Sequence, residues 1–286
     1  MDANTIERAL IIGAGTMGHG IAQVLAMIGI ETRLADVNEA ALESAMAKVR
    51  ANLDKGVDKG KVEAHVRDAA LARLSTTTDL AGGSAGVHCV IEAVPERLEL
   101  KQGILSDLGA RLGPDVLLAS NTSSLPLTEI AKVVPHPERV VGMHFFNPVH
   151  IMKLVEVVRA DQSSDAAVAA TVGLATRMGK DPITVIDRPG FASSRLGIAI
   201  GMEAIRMVEE GVASAQDIDK AMTLGYGFPM GPLKLTDLVG LDVRLSIADY
   251  LSEALGPRFE PPALLRQMVE RGELGKKSGQ GFYDWS

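Results

Sequence analysis

Ala9-Leu10-Ile11-Ile12-Gly13-Ala14-Gly15-Thr16-Met17-Gly18 is the stretch that decides the fold. Its four apolar residues read as a short buried strand, and the glycine-rich turn follows at once. Ile21, Val24, Leu25 and Ile28 then recur at helical spacing, and Gly29 ends the helix. Thr32-Arg33-Leu34-Ala35 is a second strand, closed by Asp36. Strand, glycine turn, helix, strand and acid, in that order, make a Rossmann-type dinucleotide-binding unit. Each part has its own physical reason. Gly13 permits the tight turn, Gly15 lets backbone approach a pyrophosphate, and Gly18 lets helix pack close to strand. The helix start, at Thr16-Met17-Gly18, offers unpaired N–H groups and a partial positive charge to phosphates. Asp36 is placed to accept hydrogen bonds from ribose hydroxyls and to repel a 2′-phosphate, so NAD is expected rather than NADP. Two local readings stand beside this one. The glycines could serve only a strand–helix turn, and Asp36 could cap the helix that starts near Asn38.

Outward from this unit, strands alternate with helices. Further strands read at 87–93, 116–119, 140–143, 154–158 and 183–186, and the segments between most of them have helical patterns at 98–108, 127–133 and 166–178. The expected fold class is therefore α/β, with a largely parallel Rossmann-type sheet. Residues 39–72 read as a polar helical hairpin inserted in it. Its connection, Lys55-Gly56-Val57-Asp58-Lys59-Gly60-Lys61, is either a solvated turn or a basic edge for a phosphorylated ligand. A turn-rich break at Asp187-Arg188-Pro189-Gly190 separates an expected first domain, 1–187, from an all-helical second domain, 188–286. In the second domain, helices are expected at 191–210, from Ser214-Ala215-Gln216-Asp217 onward, and at 241–255. An apolar stripe of Leu196, Ile200, Ala204 and Val208, widened by Met202, Ile205 and Met207, suggests burial on two sides and a homodimer through these helices.

In parallel sheets ligands lie beyond the carboxyl ends of the strands, and polar clusters sit there in this chain. Pro95-Glu96 and Lys101 follow one strand. Ser120-Asn121-Thr122-Ser123-Ser124 follows the next, and His144-Phe145-Phe146-Asn147-Pro148 a third. Glu156, inside the apolar strand Leu154-Val155-Glu156-Val157-Val158, is the most telling single residue. A carboxylate there is costly without a partner. His144 is the candidate, and a His–carboxylate pair beside a nicotinamide is an acid–base device. The alternative is that Glu156 points to solvent from an edge strand.

Composition narrows the classes. With 29 Lys and Arg against 36 Asp and Glu the net charge is -7, which argues against a nucleic-acid binder. Aromatics are 3%, so bases or sugars are not held mainly by stacking. No apolar stretch approaches the ~18 residues of a membrane span. The one cysteine, Cys89, lies in an apolar run and is read as core. With no signal peptide at the polar start, a cytoplasmic protein is expected. No metal-ligating cluster stands out, and no metal is expected.

With these motifs in view, the chain resembles the 3-hydroxyacyl-CoA dehydrogenases, in particular their short stand-alone type. The resemblance rests on Gly13–Gly18, on Ile91-Glu92-Ala93-Val94-Pro95-Glu96, on Ala119–Ser124, and on His144–Pro148 running into Met152-Lys153-Leu154-Val155-Glu156. It continues through Arg188-Pro189-Gly190-Phe191, Met230-Gly231-Pro232 and Gly275–Tyr283. It implies NAD-dependent oxidation of a short-chain L-3-hydroxyacyl-CoA, with His144 as general base and Glu156 orienting it. Ser123 and Asn147 would lie at the substrate and nicotinamide end. Thr16, Met17, Ala93, Val94, Glu96, Lys101, Asn121 and Lys277 would belong to the NAD site beside the glycines and Asp36. Lys55 and Lys59 would lie towards the CoA nucleotide. Ser194 stands where relatives carry Asn, and its shorter side chain leaves substrate fit open. A gulonate or carnitine dehydrogenase, or a non-catalytic crystallin-like NAD-binding protein, are the competing readings.

Overall fold

The computed structural model describes all 286 residues, which divide into two compact units, Met1–Arg188 and Pro189–Ser286. The first unit holds β1 (Arg8–Ile12), α1 (Gly18–Met27), β2 (Glu31–Ala35), α2 (Glu39–Asp58), α3 (Ala64–Ala72), β3 (Leu74–Thr77) and α4 (Leu80–Gly83). It continues with β4 (Cys89–Glu92), α5 (Leu98–Arg111), β5 (Leu117–Ser120), α6 (Leu127–Ala131), β6 (Val140–Phe145), β7 (Leu154–Arg159), α7 (Asp165–Arg177) and β8 (Asp181–Ile186). The strands form one sheet in the order β3-β2-β1-β4-β5-β6-β7-β8. Every pairing is parallel except β6 with β7. The expected α/β class is therefore what the chain adopts. Strand order reverses between β1 and β4, which opens a ligand crevice beyond their carboxyl ends.

The sheet is covered on both faces, which is why its central strands read as continuous apolar runs. One core joins Ile11, Ile91, Ala119, Met143 and Val155 to Ile21 and Leu25 of α1 and Leu174 of α7. Cys89 belongs to this core, and burial pushes its thiol up to about 12. The opposite face meets α6: a side chain at Gly142 would touch Leu127. Val49 and Leu53 of α2 and Ala70 of α3 close a smaller core with Ala26. Arg139, fully buried, donates from its guanidinium to the carbonyls of Gly109 and Leu112, satisfying the C-terminal end of α5.

Several element boundaries differ from the sequence reading. The insertion is not a hairpin turning at 55–61: α2 runs on to Asp58, and the turn is Lys59–Glu63. Gly56 is tolerated inside the helix because Val62 packs against its bare Cα. β3 went unread because Leu74-Ser75-Thr76-Thr77 is an edge strand with little apolar content. The long helix of the second unit begins at Ser193, not 191, since Gly190 and Phe191 both have positive φ, 76° and 49°.

The second unit holds α8 (Ser193–Glu209), α9 (Ala215–Gly225), α10 (Pro232–Val239), α11 (Leu241–Leu255) and α12 (Ala263–Glu270). No strand occurs in it, as expected; Gly275–Gln280 and Gln280–Asp284 are isolated bridges. α10 and α12 were not foreseen, although Pro at the first turn of α10 is a start signal. The stripe on α8 divides: Met202, Ala204 and Ile205 are core, whereas Leu196 is 63% and Ile200 37% exposed. The C-terminal segment is clasped by buried Asp237, which accepts from the backbone N–H of Phe282 and Tyr283 and from Trp285 Nε1.

Candidate active site

The glycine turn does what its sequence implies. Gly13 has φ +99°, and a Cβ there would lie 2.6 Å from the carbonyl oxygen of Ala93. A side chain at Gly18 would strike the Gly13 carbonyl. Gly15 differs: nothing lies within 4 Å of its Cβ position, so its bare face looks onto open space. The N-cap of α1, Met17, makes no side-chain hydrogen bond to the first turn. The site thus presents unclaimed backbone donors and a helix dipole to an anion. Asp36 Oδ2 accepts from Ala14 N at 2.7 Å, and Oδ1 from Asn38 N at 3.0 Å. Asn38, not Asp36, caps α2, by accepting from Ala41 N. A close turn, an open Gly15 and an acid at the end of β2 fit the adenosine and pyrophosphate of NAD.

His144 and Glu156 are directly opposed residues of the antiparallel pair β6–β7. Opposed residues project from the same face. The imidazole Nδ1 lies 2.7 Å from Glu156 Oε2, with the carboxylate fully buried and the ring nearly so. Phe146 lies beside the ring, centroids 4.5 Å apart. The edge-strand alternative is excluded, because β7 is flanked by β6 and β8.

A second polar network occupies the carboxyl ends of β4 and β5. Glu96 Oε1 accepts from Thr122 Oγ1 (2.6 Å), Ser123 N (2.7 Å) and Ser124 N (3.1 Å). Burial alone would raise the Glu96 pKa, but Lys101 and these donors hold it below the usual carboxylate range. Asn121 Oδ1 accepts from Phe145 N at 3.0 Å, tying this loop to the end of β6 beside His144. Lys101 is not at the surface: its ammonium is buried between Glu92 (2.7 Å) and Glu96 (3.2 Å). Glu92 carries the same sequence signal as Glu156, a carboxylate in an otherwise apolar strand.

Beside the glycine turn lies a cleft of about 780 Å³, lined by Thr16, His19, Lys48, Asn52, Lys55, Lys59 and Lys61 together with Asn147 and His150. Lys55 and Lys59 are thus brought to a basic cavity. Lys48 and Asn52 went unread because they join Lys55 and Lys59 on one face only if α2 continues past Val49. Partial burial and the neighbouring Lys180, His19 and Lys55 hold His150 below the usual imidazole range. Lys180, itself buried, donates to the carbonyls of Val149 and Met152 and fastens the loop that carries Asn147.

Ser194 and Lys277 belong to the second unit. Ser194 lies in the first turn of α8. Lys277 Nζ pairs with both oxygens of Asp242, 2.6 Å from Oδ2. The chain presents no group of three or more His, Cys, Asp and Glu able to hold a metal ion.

Residues 8–188 match the family model described as 3-hydroxyacyl-CoA dehydrogenase, NAD binding domain, and residues 190–285 match 3-hydroxyacyl-CoA dehydrogenase, C-terminal domain. This chain belongs to the 3-hydroxyacyl-CoA dehydrogenase family. It is an NAD-dependent oxidoreductase of that family. A 3-hydroxybutyryl-CoA dehydrogenase of Mycobacterium tuberculosis is 44% identical, over 99% of this chain and 100% of that one. A 3-hydroxyadipyl-CoA dehydrogenase of Escherichia coli is 41% identical over 98% of this chain and 59% of its own length. Among solved structures, the (S)-3-hydroxybutyryl-CoA dehydrogenase of Ralstonia eutropha has a TM-score of 0.94 and 41% identity, covering 99% of this chain and 100% of that one.

Proposed function

We propose that this enzyme oxidises a short-chain L-3-hydroxyacyl-CoA, such as 3-hydroxybutyryl-CoA, to the 3-ketoacyl-CoA and catalyses the reverse reaction. The observation that carries the mechanism is the opposed, buried pair His144–Glu156 on β6 and β7. NAD supplies the hydride acceptor. In oxidation His144 takes the substrate hydroxyl proton as general base; in reduction its imidazolium returns it. Glu156 holds Nδ1 and stabilises the charge that develops on the ring, so proton exchange falls to Nε2. Ser123 and Asn147 orient the substrate oxygen, with Ser194 in the family's Asn position.

Gly13, Gly15, Thr16, Met17 and Gly18 receive the pyrophosphate, and Asp36 the adenosine ribose. Ala93, Val94, Glu96 and Asn121 complete the cofactor contacts of the first unit. Lys101 serves the cofactor site indirectly, through Glu96, because its ammonium is enclosed by carboxylates. Lys55 and Lys59, with Lys48 and Lys61, meet the CoA phosphates in the basic cleft. The exposed apolar residues Leu196 and Ile200 on α8 support a homodimer through the C-terminal helices. No helix is long and apolar enough to cross a membrane, and a single buried thiol suits the reducing cytoplasm.

The test is NADH consumption with acetoacetyl-CoA, run beside NADH formation with gulonate and with carnitine. Turnover confined to the CoA ester supports the proposal. Turnover confined to gulonate or carnitine overturns it, and inactivity with all three favours a structural NAD-binding protein.

A further inference from the structure

Beneath the serine-rich loop, at the bottom of the network on β4 and β5, lies a carboxylate that the reaction itself does not use. Glu92 closes β4, is 0% exposed, and pairs in register with Ser120 of β5. Its oxygens are fully engaged. Oε2 accepts from Ser120 Oγ at 2.6 Å. Oε1 accepts from Val94 N and from Lys101 Nζ, both at 2.7 Å. Lys101, in the first turn of α5, is 1% exposed and reaches on to Glu96. Glu96 in turn gathers the backbone N–H groups of Ser123 and Ser124. A continuous chain of charge-assisted bonds thus runs from the sheet interior to the loop that carries Ser123.

Two carboxylates share one ammonium here. Stability alone is a poor reason to bury such a group, since desolvation offsets most of the Coulombic gain and a packed apolar residue would do as well. What the arrangement provides is direction. Glu92 holds Lys101 back in the floor, which leaves Glu96 Oε1 for the loop. Without that restraint the ammonium would move onto Glu96 and compete with the Ser123 and Ser124 N–H groups.

We propose that Glu92 is a positioning residue: through Lys101 and Ser120 it sets the geometry of the 120–124 loop, and with it Ser123. This rests on the reading that Ser123 orients substrate.

The experiment compares Glu92→Gln, Lys101→Met and the double variant in thermal unfolding, in acetoacetyl-CoA reduction, and in backbone amide exchange. Lys101→Met leaves the buried Glu92 carboxylate, with Glu96 beside it, without its cation and is expected to lower Tm. The double variant removes both buried charges and is expected to recover Tm. If Glu92 positions the loop, kcat in the double variant stays down by about 10²-fold, the scale of a misplaced orienting group. Its amides at 121–125 also exchange faster than in the wild type, while strand amides do not change. A kcat that returns together with Tm overturns the proposal and makes the network a structural plug. Should the double variant not fold, Glu92→Gln alone decides. A local rise in exchange at 121–125 supports positioning, and a uniform rise or none overturns it. Wild-type inactivity on acetoacetyl-CoA would instead be a failure of the functional reading, and the exchange pattern would still judge Glu92.

Discussion

Replacing Glu156 by Gln changes one oxygen for nitrogen in a site with no room for other adjustment, so it tests the acid–base device cleanly. The carboxylate is fully buried and its Oε2 lies 2.7 Å from His144 Nδ1. As the ring takes the substrate proton it becomes cationic. A unit charge pair ~4 Å apart at the effective dielectric of ~20 that suits buried sites is worth about 4 kcal/mol. At 1.36 kcal/mol per factor of ten, losing it lowers the rate by about 10³-fold. The amide has a second effect in the same direction: its NH2 can donate to Nδ1, which favours the tautomer with the proton on Nε2 and removes the base. Both effects act on kcat, and KM for the acyl-CoA should move little. The assay is steady-state NADH formation from 3-hydroxybutyryl-CoA across pH, with Tm as a control for folding. A Glu156→Gln enzyme within about tenfold of wild-type kcat would refute the reasoning.

The other expectations concern space, charge and proton uptake. Gly15→Ala should leave Tm unchanged, since nothing of the protein lies within 4 Å of its Cβ, yet weaken NADH binding by at least about tenfold; equal affinity would mean the open face is not the cofactor's. Gly13→Ala, by contrast, meets the Ala93 carbonyl at 2.6 Å with φ +99° and should lose about 1–3 kcal/mol of stability, read by urea unfolding. The depressed pKa of His150 means the fold disfavours its protonation, so this group's contribution to stability is complete above its unfolded pKa and falls as pH drops below it. Phosphates arriving in the cleft reverse that preference, so acyl-CoA binding near pH 6 should take up protons, measured calorimetrically in buffers of different ionisation enthalpy, and His150→Gln should abolish the uptake. Arg244 is 7% exposed, its buried Nε has no hydrogen-bond partner, and burial brings its pKa down to about 10. Such a shift corresponds to roughly 3 kcal/mol, so Arg244→Met should raise Tm; a fall would mean that the guanidinium has an acceptor in the working protein.

How much of the site was legible depended on how local each constraint is. Gly13, Gly15 and Gly18 act within six residues, and their turn, gap and close packing all appear where the spacing puts them. Glu156 and Glu92 announce themselves in the same way, as carboxylates in apolar strands, but a single strand does not name its partner. β3 was illegible because its pairing with β2 uses backbone bonds and almost no apolar side chain. The basic cleft was half legible: Lys55 and Lys59 lie in a visibly charged run, whereas Lys48 and Asn52 required knowing that α2 continues to Asp58.

The sequence by itself determined the alternation of strands and helices, the cofactor turn, and which residue types gather at strand ends. These follow from periodicity and from backbone conformations that only particular residues adopt. The tertiary structure alone decided the pairings. β6 and β7 run antiparallel in a sheet otherwise parallel, and this register sets His144 opposite Glu156. The parallel register of β4 with β5 likewise sets Glu92 beside Ser120 and encloses Lys101. Register is a long-range property, fixed by which faces are buried, so no window of the chain contains it.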